Sequence, residues 1–173
     1  MGFVAMILAA AAAIGLWMYR AERASDAART VLDMAGDAKA AARRFGYRRR
    51  TKSHPLDDID DPRLSAAGML VSIAKLDGDL SREQIDRITR ECVETFEVDA
   101  AEGADMTAFG RWLAQQGEPE EVMRRLARGL RDKMTPEQHE SLYAMFARVA
   151  SIEGGAPSER QTLAFDVVKR TLG

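Results

Sequence analysis

The chain has 173 residues, with 25 Lys and Arg against 27 Asp and Glu, few aromatics and a single Cys. One cysteine excludes an internal disulfide, and the lack of alternating β-branched runs beside abundant Ala, Leu, Arg and Glu favours helices over strands. Residues 20–52 hold ten Lys and Arg with four Asp and Glu, while 53–173 hold fifteen and twenty-three; an acidic body is a poor nucleic-acid surface, because phosphate contacts need concentrated positive charge.

Gly2 to Tyr19 carries no charged side chain. About eighteen helical residues at about 1.5 Å each span roughly 27 Å, close to the apolar thickness of a bilayer. Trp17 and Tyr19 stand at the far end, where amphipathic rings favour the interface, and Arg20, Arg23 and Arg29 follow. A cleaved signal peptide carries its basic residues before the apolar stretch; here they come after it. The expectation is a transmembrane anchor at 1–19 in a bacterial inner membrane. It passes once, with the N-terminus outside and the C-terminal body in the cytoplasm.

Residues 20–61 are expected to form a basic juxtamembrane stalk and an acidic linker. Arg43, Arg44, Arg48, Arg49, Arg50 and Lys52 fall within ten residues that also hold Phe45 and Tyr47. Such a cluster beside an anchor suits anionic lipid, at about 1 kcal/mol per basic residue near the surface. Leu56 to Asp61 is short and acidic and is expected to be linker.

Residues 62–173 are expected to be one all-α bundle. Asp61-Pro62, Ser81-Arg82-Glu83-Gln84, Glu118-Pro119, Thr135-Pro136-Glu137-Gln138 and Ser158-Glu159-Arg160-Gln161 have the chemistry of helix starts. Apolar stripes follow at helical spacing: Met69, Leu70, Ile73, Ala74; then Ile85, Ile88, Cys92, Phe96; then Met106, Phe109, Trp112, Leu113. Val122, Met123, Leu126, Leu130 come next, before Leu142, Tyr143, Phe146, Val149 and, last, Ala164, Val167, Val168, Leu172. The expected architecture is six helices with one apolar face each. At an offset of 76, Ala74, Asp77, Gly78 and Glu83 align with Ala150, Glu153, Gly154 and Glu159, which predicts two pseudo-repeated helix pairs, each joined by an acidic-glycine turn.

At Ile73-Ala74-Lys75-Leu76-Asp77-Gly78-Asp79-Leu80-Ser81-Arg82-Glu83 the chain resembles the TerB family, whose domains were named from tellurite-resistance operons. A related domain lies in a membrane-anchored co-chaperone, DjlA. The resemblance covers roughly 62–173. The second copy departs from the pattern, with Glu153 for Asp and Pro157 for Ser, and the J domain of the co-chaperone is lacking. The resemblance implies a compact helical bundle in a membrane-scaffolding or stress setting, and an acidic cluster that takes a divalent metal. It implies no catalysis.

Asp77, Asp79, Glu83, Glu153 and Glu159 are therefore the candidate metal residues, since carboxylate oxygens suit Ca²⁺ or Mg²⁺. The spacing is not that of an EF-hand: Arg82 stands where the loop needs Gly, and Ile88 where it needs Glu. The same residues have a plain structural reading, because acids in a first helical turn gain about 0.3–1 kcal/mol from the dipole and Asp-Gly is ordinary turn chemistry. Cys92 reads as core, and His54 and His139 as solvated. No Ser/His/Asp or Cys/His set is present, so neither catalytic residues nor an organic cofactor are expected. The leading functional expectation is a membrane-anchored, cytoplasm-facing TerB-like interaction or scaffold module, tied to envelope or metal (tellurite-type) stress. Its partners are the inner membrane, anionic lipid at the stalk and an unidentified protein, with no nucleic acid. A divalent-cation sensor is the alternative, and a metal-dependent enzyme the third.

Overall fold

The computed structural model describes residues 36–47, 54–151 and 155–173, and a compact unit runs from Asp37 to Gly173. The expected anchor, most of the stalk and Glu153 lie outside the described residues. Within those residues the chain is all-α, without strands, and no helix is long and apolar enough to cross a membrane. A helix, α1, covers 36–44. A 3₁₀ turn at Pro55–Asp58 precedes α2 (Pro62–Ala74), and a second at Lys75–Asp77 leads to α3 (Arg82–Phe96). Then come α4 (Ala100–Leu113), α5 (Pro119–Leu130), α6 (Pro136–Ala150) and α7 (Glu159–Leu172).

The starts follow local chemistry. The Asp61 carboxylate accepts from Arg63 N–H, with Pro62 at the first helical position. Ser81, Thr135 and Ser158 each form a full capping box with the Gln three residues on. In each, the hydroxyl and the amide side chain satisfy two backbone donors that the helix itself leaves free. Asp99, not marked in the sequence reading, caps α4 by accepting from Glu102 N–H.

One expectation needs correction. The sequence suggested six helices with one apolar face each, but α2 is buried all round, from Leu64 to Ala74 without a break. After Arg63 its sequence holds only apolar and small residues, and a helix with no polar face belongs in the middle of a domain. α3, α4, α5 and α6 all pack on it, while α7 lies against α5 and α6. The other helices do keep one-sided burial. α5, for example, buries Val122, Met123, Leu126, Ala127 and Leu130 and exposes Glu120, Arg124 and Arg128.

The segment read as stalk and linker also feeds this core. Ala41, Leu56 and Ile59 belong to the same apolar cluster as α2. The 3₁₀ turn is tied to α5, where Arg125 Nη1 meets Asp57 Oδ2 at 2.9 Å, and Lys133 Nζ donates to the Ile59 carbonyl at 3.1 Å. The acidity of 57–61 hid two apolar residues at the spacing needed to seat the turn.

The polar groups of α2 are handled internally. Ser72 is fully buried, and its hydroxyl donates to the Gly68 carbonyl one turn back at 2.8 Å. The closest approach to a neighbour is at glycines. A Cβ built on Gly110 of α4 would stand 2.8 Å from the Ala67 carbonyl carbon and oxygen, and one on Gly68 would stand 2.9 Å from Leu113 and Leu126 side-chain carbons. Backbone meets backbone at Gly110, so no side chain can swing aside there. Gly110→Ala should destabilise the fold by about 2–3 kcal/mol, as overpacking of a tight core does. Gly129→Ala on α5, where nothing lies within 4 Å of the added carbon, should stabilise by about 0.5–1 kcal/mol through helix propensity. Urea unfolding of the two variants beside the parent tests both signs.

Candidate functional site

Of the candidate metal residues, Asp77 and Asp79 lie at the turn that ends α2. The 3₁₀ turn Lys75–Asp77 carries the chain to Gly78, whose φ of 148 is one that side chains rarely adopt. The start of α7 sits directly against this turn. The Ser158 hydroxyl donates to Asp77 Oδ1 at 3.0 Å and accepts from Gln161 N–H at 3.1 Å. Gln161, buried, donates from its side chain to the Ile73 carbonyl at 3.4 Å. Arg160 donates to the Leu76 carbonyl and bonds Glu120 Oε1 at 2.7 Å. Three residues at the start of α7, Ser158, Arg160 and Gln161, thereby bind the last residues of α2 and its extension.

Between the two turns lies a cleft of ≈ 340 Å³, lined among others by Asp77, Gly78, Asp79, Gln84, Ser158 and Gln161. Asp77 and Asp79 are thus brought to one place. Glu83 and Glu159 are exposed in the first turns of α3 and α7 and do not line it. No three His, Cys, Asp or Glu among the described residues come together as a metal-holding group. What the cleft offers is a pair of carboxylates beside a hydroxyl and amide groups, a surface that accepts hydrogen bonds from a cationic or donor-rich group.

The charges at the edge are coupled. The hydrogen bond from Arg160 holds the Glu120 carboxyl below the usual range, and the same bond raises the Arg160 guanidinium. Both groups are about half exposed, so water screens most of their mutual attraction.

Of the candidate lipid-contact residues, Arg43 is exposed. Arg44 is already committed within the protein, through an ion pair with Asp105 of α4. Arg48, Arg49, Arg50 and Lys52 lie outside the described residues.

The sequence reading missed one group. Glu91, on α3, has no solvent exposure. Its Oε2 lies 2.7 Å from both Nε and Nη2 of Arg148 on α6, and its Oε1 lies 3.7 Å from Arg87 Nη1. The periodicity of α3 held the signal, since Glu91 is three residues after Ile88 and beside Cys92 on the inward face. The hydrogen bond to Glu91 raises the Arg148 guanidinium. Next to it, burial pushes the Cys92 thiol up to about 12, against the pull of a hydrogen bond with Thr107 and with a further push from the Glu91 charge. Cys92 is a core residue, as expected. His139 is half-buried instead of solvated, with Nε2 enclosed and without a hydrogen-bond partner, and its ring lies 6.5 Å from that of Tyr143.

The chain matches no known protein family, no curated protein and no solved structure.

The buried carboxylate makes Arg148 a sensitive position. Arg148→Ala strands a desolvated charge and should lower stability by about 3 kcal/mol, whereas Glu91→Gln with Arg148→Met, which removes both charges, should recover most of it. Denaturant midpoints of the two variants give the comparison; equal losses would mean that the pair is screened like a surface one.

Proposed function

We propose that this chain is a membrane-anchored, cytoplasm-facing interaction module of the TerB-like class, a scaffold at the inner leaflet in envelope or metal stress. The observation that carries the reading is the contact between Asp77 and Ser158. The residues of the TerB-like motif sit at the end of α2, and the matching stretch of the second copy is bonded to them. The helix ends support two pseudo-repeated helix pairs as well: α2 and α6 end at Ala74 and Ala150, and α3 and α7 at Phe96 and Leu172, each 76 residues apart. The uncharged stretch 2–19 and the Lys/Arg-rich segment after it support the anchor, its orientation and contact with anionic lipid.

A second reading, a divalent-cation sensor, is favoured by the convergence of Asp77 and Asp79 on one cleft. Two carboxylates with neighbouring oxygen donors suit Ca²⁺ or Mg²⁺, with further ligands needed from water or a partner.

Two measurements on the full chain separate them. Photo-crosslinking from a probe at Asp79 in native membranes should trap discrete protein partners for the scaffold, and Asp77→Ala should diminish them; an unchanged pattern counts against the cleft as the contact. A cation that binds the cleft should raise the melting temperature in millimolar Ca²⁺ or Mg²⁺, about 2.7 kcal/mol of stabilisation at a hundred times its Kd, and Asp77→Asn should remove the shift. The scaffold reading expects no such shift.

A further inference from the structure

We propose that the exposed face of α7 pairs two copies of this chain, antiparallel, with Leu163 at the centre of the contact. This pairing requires neither the anchor nor the polar cleft.

α7 divides between two environments. Gln161, Ala164, Val168 and Leu172 are buried. Glu159, Leu163, Asp166 and Arg170 are exposed and recur at steps of four, three and four residues, which sets them in one line along the opposite side of the helix. Leu163, at 57%, is the one exposed large apolar side chain among the described residues. It borders a groove of ≈ 240 Å³ between α5 and α7, where Met123, Ala164 and Val167 supply apolar walls. A leucine that stands out beside an apolar groove is a knob next to a hole, and two such surfaces complete each other across a two-fold axis.

Charge selects the partner and its direction. The rim of the groove is neutral, because Arg160 pairs with Glu120 at 2.7 Å and Arg124 with Glu121 at 3.0 Å. Lys169 is turned toward α6, 5.1 Å from the centre of the Tyr143 ring. By contrast, Glu159, Asp166 and Arg170 form no ion pair among the described residues. Arg170 Nε donates to the Asp166 carbonyl at 3.2 Å, which leaves the other guanidinium donors to a partner. A parallel copy would set each of these three charges beside its own like. An antiparallel copy with Leu163 on the two-fold axis brings Asp166 level with Arg160 of the second copy. Arg170 then comes level with Ala156 of that copy, about 4.5 Å along the helix from its Glu159. Both acids thus meet bases. Exposed pairs of this kind add little attraction, but they fix direction, and the apolar centre supplies the hold. With one leucine from each copy, the contact is of the small, reversible kind.

The test mixes donor-labelled and acceptor-labelled full chains in a mild detergent, with the dyes on Ala101→Cys, exposed on α4. Cys92 is fully buried, so the dye goes to the introduced thiol. Loss of energy transfer on dilution gives the Kd of the pair. Leu163→Glu should raise it about tenfold, since each copy then buries a charge in an apolar contact. Glu159→Arg should raise it severalfold, and adding Arg170→Glu should recover most of that loss. The double swap opposes the helix dipole at both ends, so recovery comes from pairing between copies; circular dichroism checks that each variant is folded. Without dyes, Leu163→Cys should close to an intermolecular disulfide severalfold faster than Arg128→Cys, which is exposed on α5. A parent chain that shows no transfer at any concentration overturns the pairing. Transfer unchanged by Leu163→Glu, or equal disulfide rates at the two positions, overturns α7 as its surface. A double swap no tighter than Glu159→Arg alone overturns the antiparallel direction.

Discussion

The close crossing of α2 and α4 is the constraint on which the rest of the structure depends. α2 has no polar face to offer water, so it is stable only if other helices cover it on every side. They can come close enough only because Gly68 and Gly110 leave room, one for side chains and the other for a neighbouring backbone. Interiors pack at crystal-like density, so such a contact fixes the position of both helices to within a fraction of a methyl group. α3, α5 and α6 are then laid against the remaining faces of α2, each through a single apolar stripe.

The end of α2 inherits this rigidity. Because α2 is locked along its length, the turn that follows it presents Leu76 and Asp77 at fixed positions, and α7 is built onto that platform by Ser158, Arg160 and Gln161. The polar cleft is thus a product of core packing, bounded by a turn that cannot drift and a helix start whose own cap residue serves as one of the links. Ser158 illustrates the economy: one hydroxyl accepts from Gln161 N–H within its helix and donates to Asp77 in another element.

A different solution joins α3 to α6. Instead of apolar contact alone, the junction holds a carboxylate without solvent exposure, bonded by a half-exposed guanidinium. Such a pair adds less net stability than an apolar contact of the same size, but it tolerates only the register that brings Arg148 onto Glu91, and so selects one arrangement of the two helices. The aromatic contacts of Tyr47 with Phe109 and Trp112 play the matching part for α1, where burial of small alanines alone gives little hold.

Much of this is legible in the amino-acid sequence. Helix starts at Asp61, Ser81, Thr135 and Ser158 are local events, decided by a side chain and backbone donors two or three residues away, so the sequence alone determines them. The inward faces of α3 to α7 follow from periodicity for the same reason. The burial of Leu56 and Ile59, the full enclosure of α2, the partnership of Glu91 with Arg148 and the docking of Tyr47 on α4 were decided by tertiary structure. Each joins residues far apart in the chain, and nothing in a local pattern says which apolar stripe, charge or ring will be opposite. Asp77 shows both sides of the division: its place in an acidic-glycine turn was written in the sequence, while its meeting with Ser158 awaited the packing that brings the two turns together.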